Sequence, residues 1–154
     1  MSTSELTPEQ QRRLAADLFN FAWTLIDKAD RTAEEAETMV NAAHASLFHW
    51  SRVGTGKNLA IGEWQVSRAY AVAGRAEPAL HHAERAARLP RDHGLEPFFV
   101  AYGYEALARA YALAGDSAAF DRAVAEANAY GEKIDKPEDR ELFLADMKTL
   151  RRPG

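Results

Sequence analysis

Two arginines at equivalent positions of a repeated segment have the clearest potential for binding chemistry. Arg68 and Arg109 lie 41 residues apart, and each stands two residues before a tyrosine and six before a glycine. A guanidinium presents a planar fork of N–H donors that fits a carboxylate or a phosphate, and Trp64, one helical turn before Arg68, adds an aromatic face. The pattern indicates a clamp for an anionic ligand.

A structural role for the same arginines stays open. Glu105 and Arg109 have the i, i+4 spacing of an ion pair within one helix, which contributes about 0.2–0.5 kcal/mol. Trp64 and Arg68 share that spacing, so the guanidinium of Arg68 can lie over the indole ring. The two interpretations differ in whether the guanidinium groups reach open space.

A second concentration of polar and aromatic side chains offers an alternative site. His44 and His49 are five residues apart, which turns them about 140° from each other around a helix and leaves them unsuited to binding one metal ion together. We therefore predict no metal site and no cofactor, and no catalytic residue is assigned because no nucleophile or oxyanion arrangement is evident. The alternative hypothesis is a small-molecule pocket, with or without catalysis or assistance from a metal ion held across helices, lined by His44, His49, Trp50, Glu63, Trp64 and Arg68.

The elements that must position these residues are helices. Alanine is the most common residue, and Val, Ile and Thr are sparse, a composition that favours helix over strand. Thr7-Pro8-Glu9-Gln10 and Thr32-Ala33-Glu34-Glu35 have the Thr-x-x-Gln/Glu pattern of helix N-termini. Asn58 is the expected cap of the third helix, and the fourth helix is expected to end at Leu89, before a loop that begins at Pro90.

We predict an all-α fold that forms one domain over residues 1–154. Short connections between seven helical segments indicate antiparallel helical hairpins. The hairpins are expected at 8–52, 58–89 and 96–132, and a capping helix with a polar outer face is expected at 137–150. A repeat of two helices with a period of about 40 residues is typical of a solenoid of stacked hairpins.

The repeated segments resemble tetratricopeptide (TPR) repeats. Residues 64–74 match residues 105–115, and the small residue, the tyrosine and the turn glycine follow the pattern of that family. The period is longer than the usual repeat of about 34 residues, and Phe120 stands where a small residue is typical. The chain, notably over 44–50 and 62–65, is also similar to a group of uncharacterised bacterial helical proteins, a likeness that implies no activity.

In a TPR-like solenoid the first helix of each pair lines a concave groove. The resemblance therefore implies a ligand-binding groove formed by Ile61, Trp64, Arg68, Tyr102, Glu105 and Arg109. We hypothesise a non-enzymatic binding module that recognises an acidic or carboxylate-ended peptide segment of a partner protein, with the two arginines as the clamp. A homo-oligomer contact on the exposed face is a further alternative.

Composition and charge narrow the classes of partner and compartment. The chain has a formal charge of −4, which gives no reason to expect a nucleic-acid partner. Cysteine is absent, so disulfides, thiol nucleophiles and zinc–thiolate sites are excluded. The first residues lack the pattern of a signal peptide, and no stretch approaches the ~18 apolar residues that cross a bilayer. We expect a cytoplasmic protein without membrane contact.

Overall fold

The computed structural model describes residues 5–154, and seven helices account for most of them. No strand occurs in that part of the chain, so the predicted all-α class is confirmed, while residues 1–4 of the predicted domain lie outside the described residues. No helix of the described residues is long and apolar enough to span a bilayer. The helices are α1 (Pro8–Ile26), α2 (Ala33–Val53), α3 (Gly56–Val72), α4 (Ala76–Asp92), α5 (Pro97–Ala114), α6 (Ser117–Gly131) and α7 (Pro137–Met147).

The first two helices begin where the sequence predicts. The Oγ1 atom of Thr7 accepts a hydrogen bond from the backbone N–H of Gln10 at 3.1 Å, and the Gln10 side chain accepts one from the N–H of Thr7 at 2.9 Å. Thr32 and Glu35 make the same reciprocal pair of bonds at the start of α2. These bonds satisfy backbone donors that the first turn of a helix otherwise leaves without partners.

Three helix boundaries differ from the prediction by two residues or more, and one of them is the end of the capping helix α7, which lies at Met147 rather than at 150. α3 begins at Gly56 rather than at 58, because the Oδ1 atom of Asn58 accepts a hydrogen bond from the N–H of Thr55 at 3.0 Å from inside the first turn. α4 does not end at 89 but continues through Pro90 to Asp92. Pro90 is buried and lies in the last turn, where its missing N–H removes only one backbone hydrogen bond.

Consecutive helices pack against each other along the described chain. In addition, each odd-numbered helix contacts the next odd-numbered helix: α1 contacts α3, α3 contacts α5, and α5 contacts α7. The backbones of the even-numbered helices of the described residues do not approach one another in this way, although the rings of His44 on α2 and His82 on α4 lie 5.3 Å apart. The odd-numbered helices therefore form one continuous layer, and the even-numbered helices lie outside it.

Small residues set the distance between neighbouring helices. Gly103 on α5 lies so close to α4 that an added Cβ atom would come within 2.5 Å of the Cα atom of Ala87. Larger side chains, such as Met39 and Phe143, fill the remaining spaces and are fully buried. Alanines with no exposed surface occupy the helix contacts: Ala15, Ala22, Ala69, Ala79, Ala83, Ala101, Ala108, Ala110 and Ala127. Close packing of this kind holds α5 against α4.

Candidate functional site

A half-enclosed cavity of about 450 Å³ opens between the four odd-numbered helices. The side chains that these helices contribute lie about one turn apart, such as Trp23 on α1 with Asp27 directly after it, and Trp64 and Arg68 on α3. Apolar side chains dominate the lining, and we call the cavity the aromatic groove. Its aromatic walls are Phe19, Trp23, Trp64, Phe98, Phe99 and Tyr102. Its charged lining residues are Asp27, Arg68 and Asp146.

Four residues at one position of a 41-residue period meet along this groove. Trp23, Trp64, Glu105 and Asp146 follow one another at intervals of 41 residues. The rings of the two tryptophans lie 5.3 Å apart, and the Nε1 atom of Trp64 donates a hydrogen bond to Oε1 of Glu105 at 3.4 Å. Arg68 joins the last two members, because its Nη2 atom lies 3.2 Å from Glu105 and 3.7 Å from Asp146. These four positions are therefore equally spaced in the sequence and adjacent along the groove.

Glu105 is fully buried beneath the groove and holds both arginines. The Nη2 atom of Arg68 donates to Oε1 and Oε2 of Glu105 at 3.2 and 3.3 Å, and Nη2 of Arg109 lies 3.5 Å from Oε2. A carboxylate buried at 0% exposure requires compensating charge, which the two guanidinium groups supply. The guanidinium groups are therefore engaged with a neighbouring side chain of the same protein.

Tyr102 and Asp146 connect α5 to α7 at the edge of the groove. The hydroxyl of Tyr102 donates a hydrogen bond to Oδ2 of Asp146 at 2.6 Å. Burial raises the pKa of Tyr102, and the hydrogen bond to Asp146 raises it further, so the hydroxyl remains a donor. The Tyr102 ring also makes edge contacts with Trp64 at 5.3 Å and Phe143 at 5.4 Å. These contacts fix the orientation of the Asp146 carboxylate.

The two arginines have different surroundings beyond Glu105. The guanidinium of Arg68 lies 5.4 Å from the ring centre of Trp64 and 5.9 Å from that of Trp23, within the range of a cation–π contact. The Nη2 atom of Arg109 donates to Oγ1 of Thr149 at 2.7 Å. Burial lowers the pKa of Arg109, although the neighbouring Glu105 carboxylate opposes that effect.

Four of the six residues predicted for the groove line it. Ile61, Trp64, Arg68 and Tyr102 face the cavity, whereas Glu105 lies beneath it. The sixth, Arg109, lines a separate and more open hollow beside the C-terminal segment. The structure brings Arg68 and Arg109 onto one carboxylate, so they are close together, and the intrahelical pair of Glu105 and Arg109 is present.

Two of the six residues of the alternative pocket, His44 and Glu63, lie in another cluster, between α2, α3 and α4. The Nε2 atom of His44 hydrogen-bonds the hydroxyl of Tyr70 at 2.8 Å. The carboxylate of Glu63 accepts from Nδ1 of His82 at 2.6 Å and from Nε of Arg85 at 2.6 Å. Burial raises the pKa of Glu63, but the hydrogen bonds from His82 and Arg85 outweigh this effect and the net pKa is lowered. Burial lowers the pKa of His44, and the charge on His82 adds to that effect.

The other members of the alternative pocket are not gathered with that cluster. The Nδ1 atom of His49 lies 3.2 Å from Nε2 of Gln11 on α1, and Trp50 is half-buried on the next position of α2. Trp64 and Arg68 belong to the aromatic groove. The six residues therefore do not line one cavity. Within residues 5–154, no group of three or more His, Asp or Glu side chains is placed to hold a metal ion.

Several residues that line the groove were not predicted from the sequence. Trp23 lies one period before Trp64, and Asp146 lies one period after Glu105, so extending the repeat in both directions finds them. Asp27 follows Trp23 by one helical turn. The residues around these positions do not otherwise match the repeated segments, which is why the period is hard to recognise in α1 and α7.

No protein-family model, curated protein or solved structure matches the chain. The function is therefore argued from the aromatic groove itself.

Proposed function

We propose that the chain is a TPR-like helical-repeat module that binds a polypeptide segment and catalyses no reaction. The contacts between successive odd-numbered helices support a repeat architecture, as does the 41-residue period from Trp23 to Asp146. Hairpins related by such a period stack so that their first helices share one surface, with α7 in the place of a capping helix. The aromatic groove lies on that surface.

The aromatic walls of the groove are the observation on which this function depends. Tryptophan and tyrosine supply a large apolar area with few rotatable bonds, and they are over-represented among the residues that dominate binding energy. Trp23, Trp64 and Tyr102 come from three different helices, and the ring of Trp64 lies 5.3 Å from each of the other two. Tyr102 is already buried, whereas a short segment with apolar side chains would cover the exposed parts of Trp23 and Trp64 and gain affinity in proportion to the area removed from water.

The acidic or carboxylate-ended ligand expected from the sequence would meet a charge-neutral cluster. Arg68 and Arg109 are balanced by Glu105 and Asp146. A carboxylate arriving at Arg68 would also approach Asp146, whose Oδ1 atom lies 3.7 Å from the same guanidinium. At an effective dielectric constant of about 20, each of these opposing interactions amounts to about 4 kcal/mol at ~4 Å, so they largely cancel. We propose that apolar contact supplies the affinity and that a carboxylate end adds little.

Peptide binding, followed by tryptophan fluorescence and calorimetry, tests this function. The probes are short synthetic peptides with leucine and phenylalanine at their centre, each prepared with a C-terminal amide and with a free carboxylate. We expect Ile61→Glu, which places a charge in the groove, to weaken binding about tenfold or more. Leu14→Glu is the matched control, because Leu14 is an exposed residue of α1 outside the groove lining.

The affinities distinguish an apolar peptide site in the groove from an arginine clamp for a carboxylate. Equal weakening by Ile61→Glu and Leu14→Glu, or no binding of any peptide, would overturn the groove as a peptide site. The expected result is that the carboxylate form binds no more tightly than the amide form. A strong preference for the free carboxylate would instead restore the arginine clamp that the sequence predicts.

A small-molecule ligand is the second candidate, because of the size and enclosure of the groove. A volume of about 450 Å³ with a mainly apolar lining falls within the range of about 300–1,000 Å³ typical of ligand pockets. Of the six residues predicted for such a pocket, Trp64 and Arg68 line the groove. A compound from a metabolite panel that raises the melting temperature of the native chain but not of Ile61→Glu would favour this candidate.

A further inference from the structure

More negative than positive side chains line the aromatic groove. Asp27, at the end of α1, and Asp146, on α7, contribute carboxylates, whereas Arg68 contributes a guanidinium. The groove lining thus has one more negative than positive charge. This balance is the opposite of what a site for an acidic ligand requires.

The charge of Arg68 is also compensated from beneath the groove. Both carboxylate oxygens of Glu105 lie within 3.3 Å of its Nη2 atom, and Glu105 has no exposed surface through which to contact a ligand. Arg109 also pairs with Glu105, and the carboxylate of Asp146 pairs with Arg68, so the two arginines and two carboxylates of this cluster together are neutral. The charge that remains at the groove is that of Asp27.

Asp27 makes no ion pair with any residue of the described chain. Its nearest basic neighbours in sequence are engaged elsewhere. Lys28 pairs with Glu35. Arg31 donates hydrogen bonds to backbone carbonyls around the end of α1, such as that of Leu25. It donates another to the backbone carbonyl of Val72, the last residue of α3. The carboxylate of Asp27 is exposed and lines the groove next to the aromatic wall. It is therefore available to a positively charged group of a ligand.

The aromatic walls already hold one cation. The guanidinium of Arg68 lies over the rings of Trp64 and Trp23 at 5.4 and 5.9 Å. Tryptophan faces attract ammonium and guanidinium groups through the negative charge of the π-system, and this attraction grows when the cation is partly removed from water. Phe98 and Tyr102 extend the same aromatic lining on α5. Rings and carboxylates together form an environment that favours a cation.

We propose that the polypeptide segment bound in the aromatic groove is anchored by a cationic side chain, lysine or arginine, flanked by apolar residues. This inference rests on the proposed function and reverses the charge of the ligand expected from the sequence. The cationic group lies among the aromatic rings, within reach of the carboxylates of Asp27 and Asp146. The flanking apolar side chains contact the rest of the lining.

Three matched peptides test this inference. They share apolar flanks and blocked ends and differ at one central residue, which is norleucine, lysine or glutamate. Dissociation constants are measured by calorimetry for the native chain, for Asp27→Asn, for Asp146→Asn and for the control Glu37→Gln. The control removes the same charge from an exposed position of α2 outside the groove lining. Asp146→Asn keeps an oxygen that accepts the Tyr102 hydrogen bond. If this substitution loosens α7, Asp27→Asn alone tests the contribution of the carboxylates.

We expect the lysine peptide to bind about three- to tenfold more tightly than the norleucine peptide, and the glutamate peptide to bind least tightly. Either Asp→Asn change should reduce the preference for lysine, Glu37→Gln should leave it intact, and high salt should weaken it. Binding of the norleucine peptide without a preference for lysine overturns the cationic anchor but leaves the proposed function standing. Absence of binding by all three peptides overturns both.

Discussion

Replacing Glu105 with glutamine tests whether the two arginines are structural. The substitution keeps a hydrogen-bond acceptor and nearly the same shape but removes the charge that Arg68 and Arg109 share. Loss of one partner of a buried ion pair costs about 3–5 kcal/mol. Asp146 remains near Arg68, and the two arginine side chains retain 12% and 18% exposure, so the lower end applies, about 3 kcal/mol of unfolding free energy. For a chain of this size, that loss lowers the melting temperature by about 6–12 °C.

Urea unfolding of Glu105→Gln, Arg109→Met and the double variant measures this effect and its origin. Glu37→Gln, an exposed position on α2, is the control and should change stability by less than about 0.5 kcal/mol. Because the cost of Glu105→Gln arises partly from an uncompensated Arg109, the double variant should be more stable than the sum of the single changes predicts, by about 1 kcal/mol or more. A cost of Glu105→Gln no greater than that of the control, or strict additivity, would refute the assignment of the arginines to Glu105.

Three further perturbations have expected outcomes. Acidification should destabilise the fold through His44, because burial lowers the pKa of His44 in the folded chain below its ordinary value of 6.5. The stability that the neutral His44 side chain contributes is complete above pH 6.5, and it is lost as the pH falls from there through the folded-state pKa. His44→Gln should flatten that part of a thermal-unfolding pH profile, and an unchanged profile would contradict this origin. Gly103→Ala should cost about 1–3 kcal/mol in urea unfolding, because the new methyl group meets the α4 backbone at 2.5 Å; an unchanged midpoint would mean that the helices lie further apart. Thr32→Ala should cost about 1 kcal/mol by removing the acceptor for the Glu35 N–H, and an equal cost in a Thr32→Ser variant would argue against the cap.

Local signals in the sequence account for much of the helical organisation. Thr7 and Thr32 start their helices as predicted, because a capping interaction involves only residues within one turn. The end of α4 was harder to place. Pro90 is a general signal for a helix end, but here it is buried in the last turn, where tertiary packing compensates for the lost hydrogen bond.

The groove is predictable from the sequence only in part. Trp64 and Tyr102 follow from the repeat and the implied concave surface, and both line the cavity. The partners of Arg68 depend on how closely α3, α5 and α7 approach, which spacing within one segment does not determine. Asp146 lies one period after Glu105, but its pairing with Arg68 and Tyr102 requires the packing of α7 against α5.

The helix α7 forms one wall of the groove but buries only Phe143 among its 11 residues. Leu142 and Asp146, which flank that anchor, line the cavity instead. A molecule that occupies the cavity touches α7 as well as the three longer helices, so occupancy and docking of this C-terminal helix are thermodynamically linked. Backbone amides of α7 should consequently exchange with deuterium more slowly when the cavity is filled, which makes this weakly anchored helix a reporter of ligand binding.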